Sequence, residues 1–157
     1  MINLKDFAVG DGVHDDTTGF QKAIDKAYET GEGIFIPEGK YLCGEVFLKP
    51  HVHIKANPTW AYRLDAYGGT VIMQRDKNQA CIFDMTTANG ATLDGLSLMG
   101  IRDSKSVGIL SRKTDYGKVE DAYRIENCRV AGFGSHAVFL DRIWCFSVRH
   151  CMFGYSG

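Results

Sequence analysis

The amino-acid sequence predicts an all-β solenoid, a parallel β-helix, because one six-residue pattern occurs three times in its second half. In each copy, small or apolar residues stand at positions one, four and six, and mostly charged or polar residues stand between them. The copies are residues 93–98, 125–130 and 148–153, spaced by 32 and then 23 residues. A strand this short cannot bury its apolar side chains alone, but stacked copies bury them in one column. The long polar surface of such a stack makes saccharide binding the leading functional hypothesis.

Composition limits the possible partners. The chain has 157 residues, 45% hydrophobic and 24% charged, with a formal net charge of -1. This balance is typical of one globular domain and provides no bulk attraction to nucleic acid or to an anionic membrane. No apolar run is long enough to span a bilayer, and the first residues lack the pattern of a signal peptide. We therefore expect no nucleic-acid or membrane partner, and both extracellular and cytoplasmic locations stay open.

The cysteines indicate thiols rather than a disulfide or metal framework. There are five, an odd number, with no CxxC or Cys/His metal spacing. Cys128 and Cys151 occupy the same inward position of successive repeats, where a bond could in principle form. We expect free thiols that pack as small apolar residues.

The N-terminal third predicts an amphipathic helix over about 17–30. Residues 15–18 (Asp-Asp-Thr-Thr) supply capping side chains, and one apolar stripe follows at helical spacing: Phe20, Ala23, Ile24, Ala27 and Tyr28. Strands are predicted at 34–36, 41–43, 46–48, 52–55, 70–73, 81–85, 106–110 and 136–140. Residues 57–69 are irregular and carry Trp60, Tyr62 and Tyr67. The polar insertion 111–120 explains the longer repeat interval.

Two motifs resemble the pectate-lyase-like superfamily. The first is DFAVGDGVHDDT at 6–17 with FQKAI at 20–24, and the second is GIFIPEGKY at 33–41. The resemblance implies a right-handed, single-stranded parallel β-helix capped by the N-terminal helix. It also implies a carbohydrate-active protein, in a superfamily of hydrolases, lyases, epimerases, transferases and phage tailspikes.

We expect a single β-helix domain over 1–157, with a cap region at 1–45 and about five turns over 46–157. Family enzymes usually have more turns, and no closing cap follows the last predicted strand. The sequence thus suggests truncation at the C-terminus, or an oligomer, plausibly a trimer, that covers the open end.

Stacking the repeats predicts rows of outward side chains. One row holds Asp94, Glu126 and Arg149, with Glu126 and Arg149 close enough to pair. The next rows hold Gly95, Asn127 and His150, and then Ser97, Arg129 and Met152. We expect a shallow groove that binds a saccharide lengthwise. The candidate substrate-binding residues are Asp94, Arg102, Arg129, Arg149, His150, Trp144 and Trp60, with Trp144 either a corner core residue or a sugar platform.

The candidate catalytic residues are Asp103, Glu126 and His136. Hydrolysis needs two carboxyls roughly 5 to 9.5 Å apart, and Asp103, Asp94 and Glu126 could supply such a pair across two turns. A lyase needs a base, His136 or His150, and a cation such as Arg102, Arg129 or Arg149. The polygalacturonase-type motifs are absent, so no family catalytic residue is carried over.

No metal site is predicted, and Ca²⁺ enters only if the protein is a lyase. The aspartates at 11, 15 and 16 fit turn and capping roles better than metal binding. The favoured function is binding of a poly- or oligosaccharide and cleavage of a glycosidic bond by acid/base chemistry. The alternatives are a non-catalytic glycan-binding or structural module of tailspike or cell-surface type, and an inactive truncated scaffold.

Overall fold

The computed structural model describes residues 1–60, 68–154 and 156, and it confirms the parallel β-helix. Sheet A has the strand order β1-β3-β6-β9-β12-β15, sheet B has β16-β13-β10-β7-β4-β2, and sheet C has β14-β11-β8-β5. Neighbouring strands are parallel throughout. The strands are β1 Ile2–Asn3, β2 Asp11–Asp15, β3 Ile34–Ile36, β4 Gly39–Cys43, β5 Val46–Phe47, β6 His53–Ala56, β7 Thr70–Gln74, β8 Cys81–Asp84, β9 Thr92–Asp94, β10 Ser97–Met99, β11 Val107–Arg112, β12 Arg124–Glu126, β13 Arg129–Ala131, β14 His136–Asp141, β15 Ser147–Arg149 and β16 Met152–Gly154.

Each repeat forms two strands, not the single strand that its length suggested. A corner separates β9 from β10, β12 from β13 and β15 from β16, and its residue has a positive φ: Gly95 (78°), Asn127 (53°) and His150 (53°). Asn and His are among the side chains that tolerate this region best. At Gly95 a Cβ would lie 2.2 Å from the Ala56 carbonyl oxygen, so this corner requires glycine. The corners direct each repeat from sheet A into sheet B.

The core is the column that the repeats predicted. In sheet A the inward row is Ile34, Ile54, Leu93, Ile125 and Val148, of which the first four are fully buried. Sheet B adds Ile72, Leu98 and Val130, paired in register and also buried. Apolar burial contributes about 25 cal/mol per Å², so this continuous column is the main source of stability.

Helix α1 spans Thr17–Thr30, as predicted, and ends at Gly31, which has a φ of 74°. Four residues of the predicted stripe are buried: Phe20, Ala23, Ile24 and Ala27. The prediction for Tyr28 was wrong: it is 52% exposed, with Lys49 Nζ 5.4 Å from its ring centroid. The Phe20 ring packs edge-on against Tyr41 (5.8 Å) and Phe83 (6.1 Å). The helix thereby closes the N-terminal end of the core.

The N-terminal aspartates have structural partners, although Asp16 does not cap the helix as its position suggested. Its carboxylate accepts hydrogen bonds from the backbone N–H of Val9 (2.8 Å) and Gly10 (3.0 Å). Asp15 accepts from Thr17 N–H at 3.1 Å, and Asp11 accepts from the N–H of residues 13 and 14. These bonds fasten the loop before α1 to the helix start.

The polar insertion is held against the solenoid by a buried carboxylate. Asp121 is fully buried, pairs with Lys113 and accepts a hydrogen bond from Trp144 N–H at 2.8 Å. The Trp144 indole N–H donates to the Tyr116 carbonyl oxygen at 3.0 Å. Trp144 is thus partly buried against the insertion.

Two further features of the described residues bear on the predictions. The five cysteines are free, as predicted. No helix in the part of the chain described by the structure has the length and apolarity needed to cross a membrane.

Candidate functional site

Four corners between sheets B and C stack along one edge of the solenoid, starting with the β4–β5 corner, and the three that follow it form the candidate site. These three join β7 to β8, β10 to β11 and β13 to β14. The first two of these three enclose a depression of about 540 Å³, lined by Lys77, Asn78, Gln79, Ala80, Asp103, Ser104 and Lys105. We call this depression the B/C groove. Successive turns lie about 4.8 Å apart, so their side chains can contact successive units of one extended polymer.

The buried side-chain amides of Gln74 and Gln79 hydrogen-bond to the backbone beneath the B/C groove. The Gln74 side chain accepts from Ile101 N–H (2.8 Å) and donates to Ser106 Oγ (2.7 Å), which links two successive corners. Gln79 accepts from Asp76 N–H and donates to the Cys81 carbonyl oxygen, each at 2.8 Å. Because these buried groups are hydrogen-bonded, the corners keep one backbone arrangement. The charged side chains above them are therefore presented from a rigid base.

The rim of the groove is mainly basic. Lys77 and Lys105 are exposed and line the groove together with one carboxylate, Asp103, and the exposed Arg102 precedes Asp103 in the chain. Lys77 Nζ lies 3.8 Å from Asp103 Oδ2, and their side chains are 61% and 98% exposed. A pair this open to solvent contributes little and does not block either group from a ligand.

The groove continues in both directions along the solenoid. A second depression of about 430 Å³ shares Asn78 and Gln79 and is also lined by Arg75 and the exposed Phe47. At the third corner, His136 is exposed and begins β14. Its Nδ1 lies 2.7 Å from Ser135 Oγ, and it pairs in register with Val107, two residues beyond Lys105. Residues Arg102, Asp103 and His136 therefore share one edge of the molecule.

Sheet A carries the predicted charged row. Asp94, Glu126 and Arg149 are in register, and Arg149 Nη2 donates to Glu126 Oε1 at 2.8 Å. Asn127 donates to Asp94 Oδ1 at 2.9 Å. The Arg149 guanidinium holds the pKa of Glu126 below its usual value. The Glu126 carboxylate is thus stabilised in its charged form, and His150 lies in the adjacent corner.

The predicted row on sheet B is in register but is covered. Thr59 N–H donates to Ser97 Oγ at 2.8 Å, and Ser97 Oγ donates back to the Thr59 carbonyl oxygen at 3.0 Å. Ser97 is buried, and Arg129 beside it is 6% exposed. Trp60, on the same covering segment, is 43% exposed. Tyr62 and Tyr67 of the second aromatic platform lie outside the described residues.

The structure separates the candidate catalytic residues. Asp103 and His136 lie at the B/C edge, whereas Glu126 lies on the face of sheet A and pairs with Arg149. Asp103 is therefore separated from Glu126 and Asp94, whereas Asp94 and Glu126 are in register on adjacent strands of sheet A. Sequence reasoning missed Lys77, Asn78, Gln79 and Lys105. Their position just after β7 and β10 was the available signal, but no repeat pattern covers the corners.

The described residues contain no group of three or more His, Cys, Asp or Glu side chains that could hold a metal ion. The B/C groove contributes one carboxylate and two lysines, which do not fit a Ca²⁺ site of six to eight oxygen ligands. The geometry of the groove thus favours an anionic ligand over a cation.

Comparison with known proteins identifies the family. The model of the family described as "Rhamnogalacturonase A/epimerase, pectate lyase-like" matches residues 1–94. The chain belongs to this pectate-lyase-like family. A pneumococcal relative, plasmin and fibronectin-binding protein A of Streptococcus pneumoniae, is 48% identical over 60 residues, 36% of this chain and 8% of that protein. Mannuronan C5-epimerase AlgE2 of Azotobacter vinelandii is 45% identical over 62 residues, 33% of this chain and 6% of the epimerase.

Two solved structures have the same fold as this chain. The A-module of Azotobacter vinelandii mannuronan C-5 epimerase AlgE6 superposes with a TM-score of 0.79 at 23% identity, covering 100% of this chain and 45% of the module. The AlgE4 A-module from the same organism gives 0.67 at 21% identity, covering 99% and 50%. This chain thus spans about half of each module and less than a tenth of the two relatives above.

Proposed function

We propose that this β-helix is part of a polysaccharide-modifying protein and that its B/C groove binds an acidic polysaccharide lengthwise. The observation that carries the proposal is the set of exposed cations, Lys77, Arg102 and Lys105, on two stacked corners above a rigid polar floor. A polymer with one carboxylate per sugar would place successive charges beside successive turns. The names of the epimerase relatives support this ligand class, since mannuronan is a polymer of sugar acids.

For the reaction, we propose removal of the proton next to the sugar carboxylate, as in epimerisation or elimination. Such a step needs a base and a cation that stabilises the negative charge developing on the carboxylate. His136 is our candidate base, and Lys105 and Arg102 are the candidate cations. Hydrolytic cleavage of a glycosidic bond, expected from the sequence, would need a second carboxyl near Asp103. The groove favours proton removal because lysines, not a second acid, line it.

Calorimetric titration tests the binding step. We expect oligomannuronate to bind and a neutral oligosaccharide of the same length not to bind, with affinity falling as salt rises. The double variant Lys77→Gln/Lys105→Gln should weaken binding at least about tenfold, the equivalent of 1.4 kcal/mol. The matched control is Lys22→Gln/Lys118→Gln, which removes the same charge from the helix and the insertion. Equal weakening by both pairs, or equal binding of the neutral sugar, would refute the proposal.

Turnover of oligomannuronate tests the reaction step. His136→Gln should leave binding of oligomannuronate unchanged and lower turnover at least about a hundredfold. Asp103→Asn removes the one carboxylate among the described residues that line the groove, so it should strengthen binding. Proton exchange at the carbon next to the carboxylate, followed by NMR in deuterated water, is the readout. Normal exchange in His136→Gln would remove this residue as the base.

A second function, a binding module without catalysis, is favoured by one comparison. The relative from Streptococcus pneumoniae is named for binding plasmin and fibronectin and is 48% identical over its matched segment. If this function holds, the protein will bind a macromolecular ligand and leave an oligouronate chemically unchanged. The same proton-exchange experiment therefore decides between the two functions.

A further inference from the structure

Arg129 is a buried cation on the outer face of sheet B. It lies in register between Ser97 on β10 and Met152 on β16, and the residue as a whole is 6% exposed. Ser97 is tied on its outer side to Thr59 by two hydrogen bonds, so segment 57–60 crosses the sheet one strand away from Arg129. The guanidinium thus lies beneath the surface of the protein, beside this crossing segment.

The guanidinium lacks the partners that burial demands. Its Nε and Nη1 are buried and donate to no acceptor among the residues that the structure describes. No carboxylate in that part of the chain forms an ion pair with it. Buried charges are normally paired, because an uncompensated one is strongly destabilising. By contrast, Arg149 in the ladder of sheet A has such a partner in Glu126.

We propose that Arg129 is the anchor of a carboxylate-binding site on the outer face of sheet B. One guanidinium supplies a single positive charge, which one carboxylate neutralises. The two carboxylate oxygens can also accept from two of its N–H groups. The Ser97 hydroxyl and the exposed Trp60 indole lie on the neighbouring strand and the crossing segment. The site uses other residues than the B/C groove and does not depend on the proposed function.

The ligand is a carboxylate from either a simple organic acid or a sugar acid. A simple acid would contact Arg129 alone. A sugar acid would in addition place its ring against the Trp60 side, since aromatic faces suit sugar rings. Acetate and glucuronate therefore serve as the two probes, with sodium chloride and glucose as controls for ionic strength and for the ring.

Thermal unfolding of the wild-type chain is the first experiment. A bound carboxylate stabilises the folded state by mass action, so we expect Tm to rise saturably, by about 5 °C at roughly 100 times Kd. Chloride and glucose at the same concentrations should have no such effect. A larger rise with glucuronate than with acetate assigns the site to sugar acids, and equal rises assign it to the carboxylate group alone. No rise with either acid overturns the proposal.

The variant Arg129→Met removes the charge and keeps the side-chain length. Without carboxylate it should be at least as stable as the wild type, and carboxylates should no longer raise its Tm. Arg124→Met, at an exposed position of β12 in the same turn, is the matched control and should keep the full response. An equal response in Arg129→Met overturns the site. If that variant does not fold, the ¹⁵N–¹H signal of Arg129 Nε in the wild type decides: it must shift with acetate and not with chloride.

Discussion

Glu126 and Arg149 form an ion pair across adjacent turns of the solenoid, with Nη2 and Oε1 2.8 Å apart. The residues are 23 positions apart in the sequence, and the strands β12 and β15 hold them side by side. The same register places Lys55 and Asp94 on the preceding two strands. One row of in-register residues thus runs from a lysine through two acids to an arginine, and the spacing of the repeats sets which residues become neighbours.

The Glu126–Arg149 pair predicts a dependence of stability on pH. Arg149 lowers the pKa of Glu126 in the folded protein. The stabilisation is thus present above the pKa of the unfolded chain and is lost as pH falls through the lower folded value. We expect Glu126→Gln to melt below the wild type at pH 7 and the gap to close below the usual Glu pKa of 4.5. Melting curves from pH 7 to pH 3 check this, and a gap that widens in acid would contradict it.

The stacked core predicts unfolding by a single buried charge. Val130 and Leu96 are fully buried, so Val130→Asp or Leu96→Asp should cost about 4 kcal/mol or more and prevent cooperative folding. Val119→Asp is the matched control, because Val119 is 63% exposed in the insertion. Circular dichroism melts are the measurement. Native-like melting of either core variant would rule out the stacked column.

The contacts of Asp121 predict that this residue holds the insertion 111–120 against the solenoid. Its buried carboxylate pairs with Lys113 and binds the backbone N–H of Trp144. Asp121→Ala should lower the free energy of unfolding by about 3–5 kcal/mol, because it leaves a lysine and an N–H without their partner. The Trp144 fluorescence should also shift toward that of an exposed indole. Asp115→Ala, at an exposed turn of the same insertion, should leave both observables near the wild type.

The lowered pKa of Cys151 predicts that the reactivity of its thiol depends on pH near neutrality. The neighbouring Cys128 thiol hydrogen-bonds to it and lowers the pKa of Cys151 to about 7. Since the thiolate is the nucleophile, alkylation of Cys151 should rise with pH around 7. The Cys145→Ser background removes the exposed thiol, and mass spectrometry locates the label. Adding Cys128→Ala should move the inflection up toward 9.0, the ordinary value. An unchanged inflection would show that Cys128 is not the cause.

The sequence predicted the features that follow from a periodic pattern of residues, whether within one helix or between repeats. Helix α1 and the row of Asp94, Glu126 and Arg149 follow from apolar spacing and from the register of equivalent positions. The burial of Arg129 did not follow, because the segment that crosses sheet B lies about 70 residues earlier and has no periodic pattern. The same reasoning put Glu126 and Asp103 in one site, although a corner turns them onto different faces.

The sequence by itself thus determined the solenoid, its capping helix and the inward column, since periodic apolar residues have few ways to become buried together. Only the tertiary structure decided which polar side chains share a surface. Corners at Gly95, Asn127 and His150 rotate each repeat from one sheet to the next, and their angles are not encoded in the repeat pattern. The corners between sheets B and C are also outside the repeat pattern. Two of them stack so that Lys77 and Lys105 line one groove, and buried Gln74 and Gln79 fix its shape.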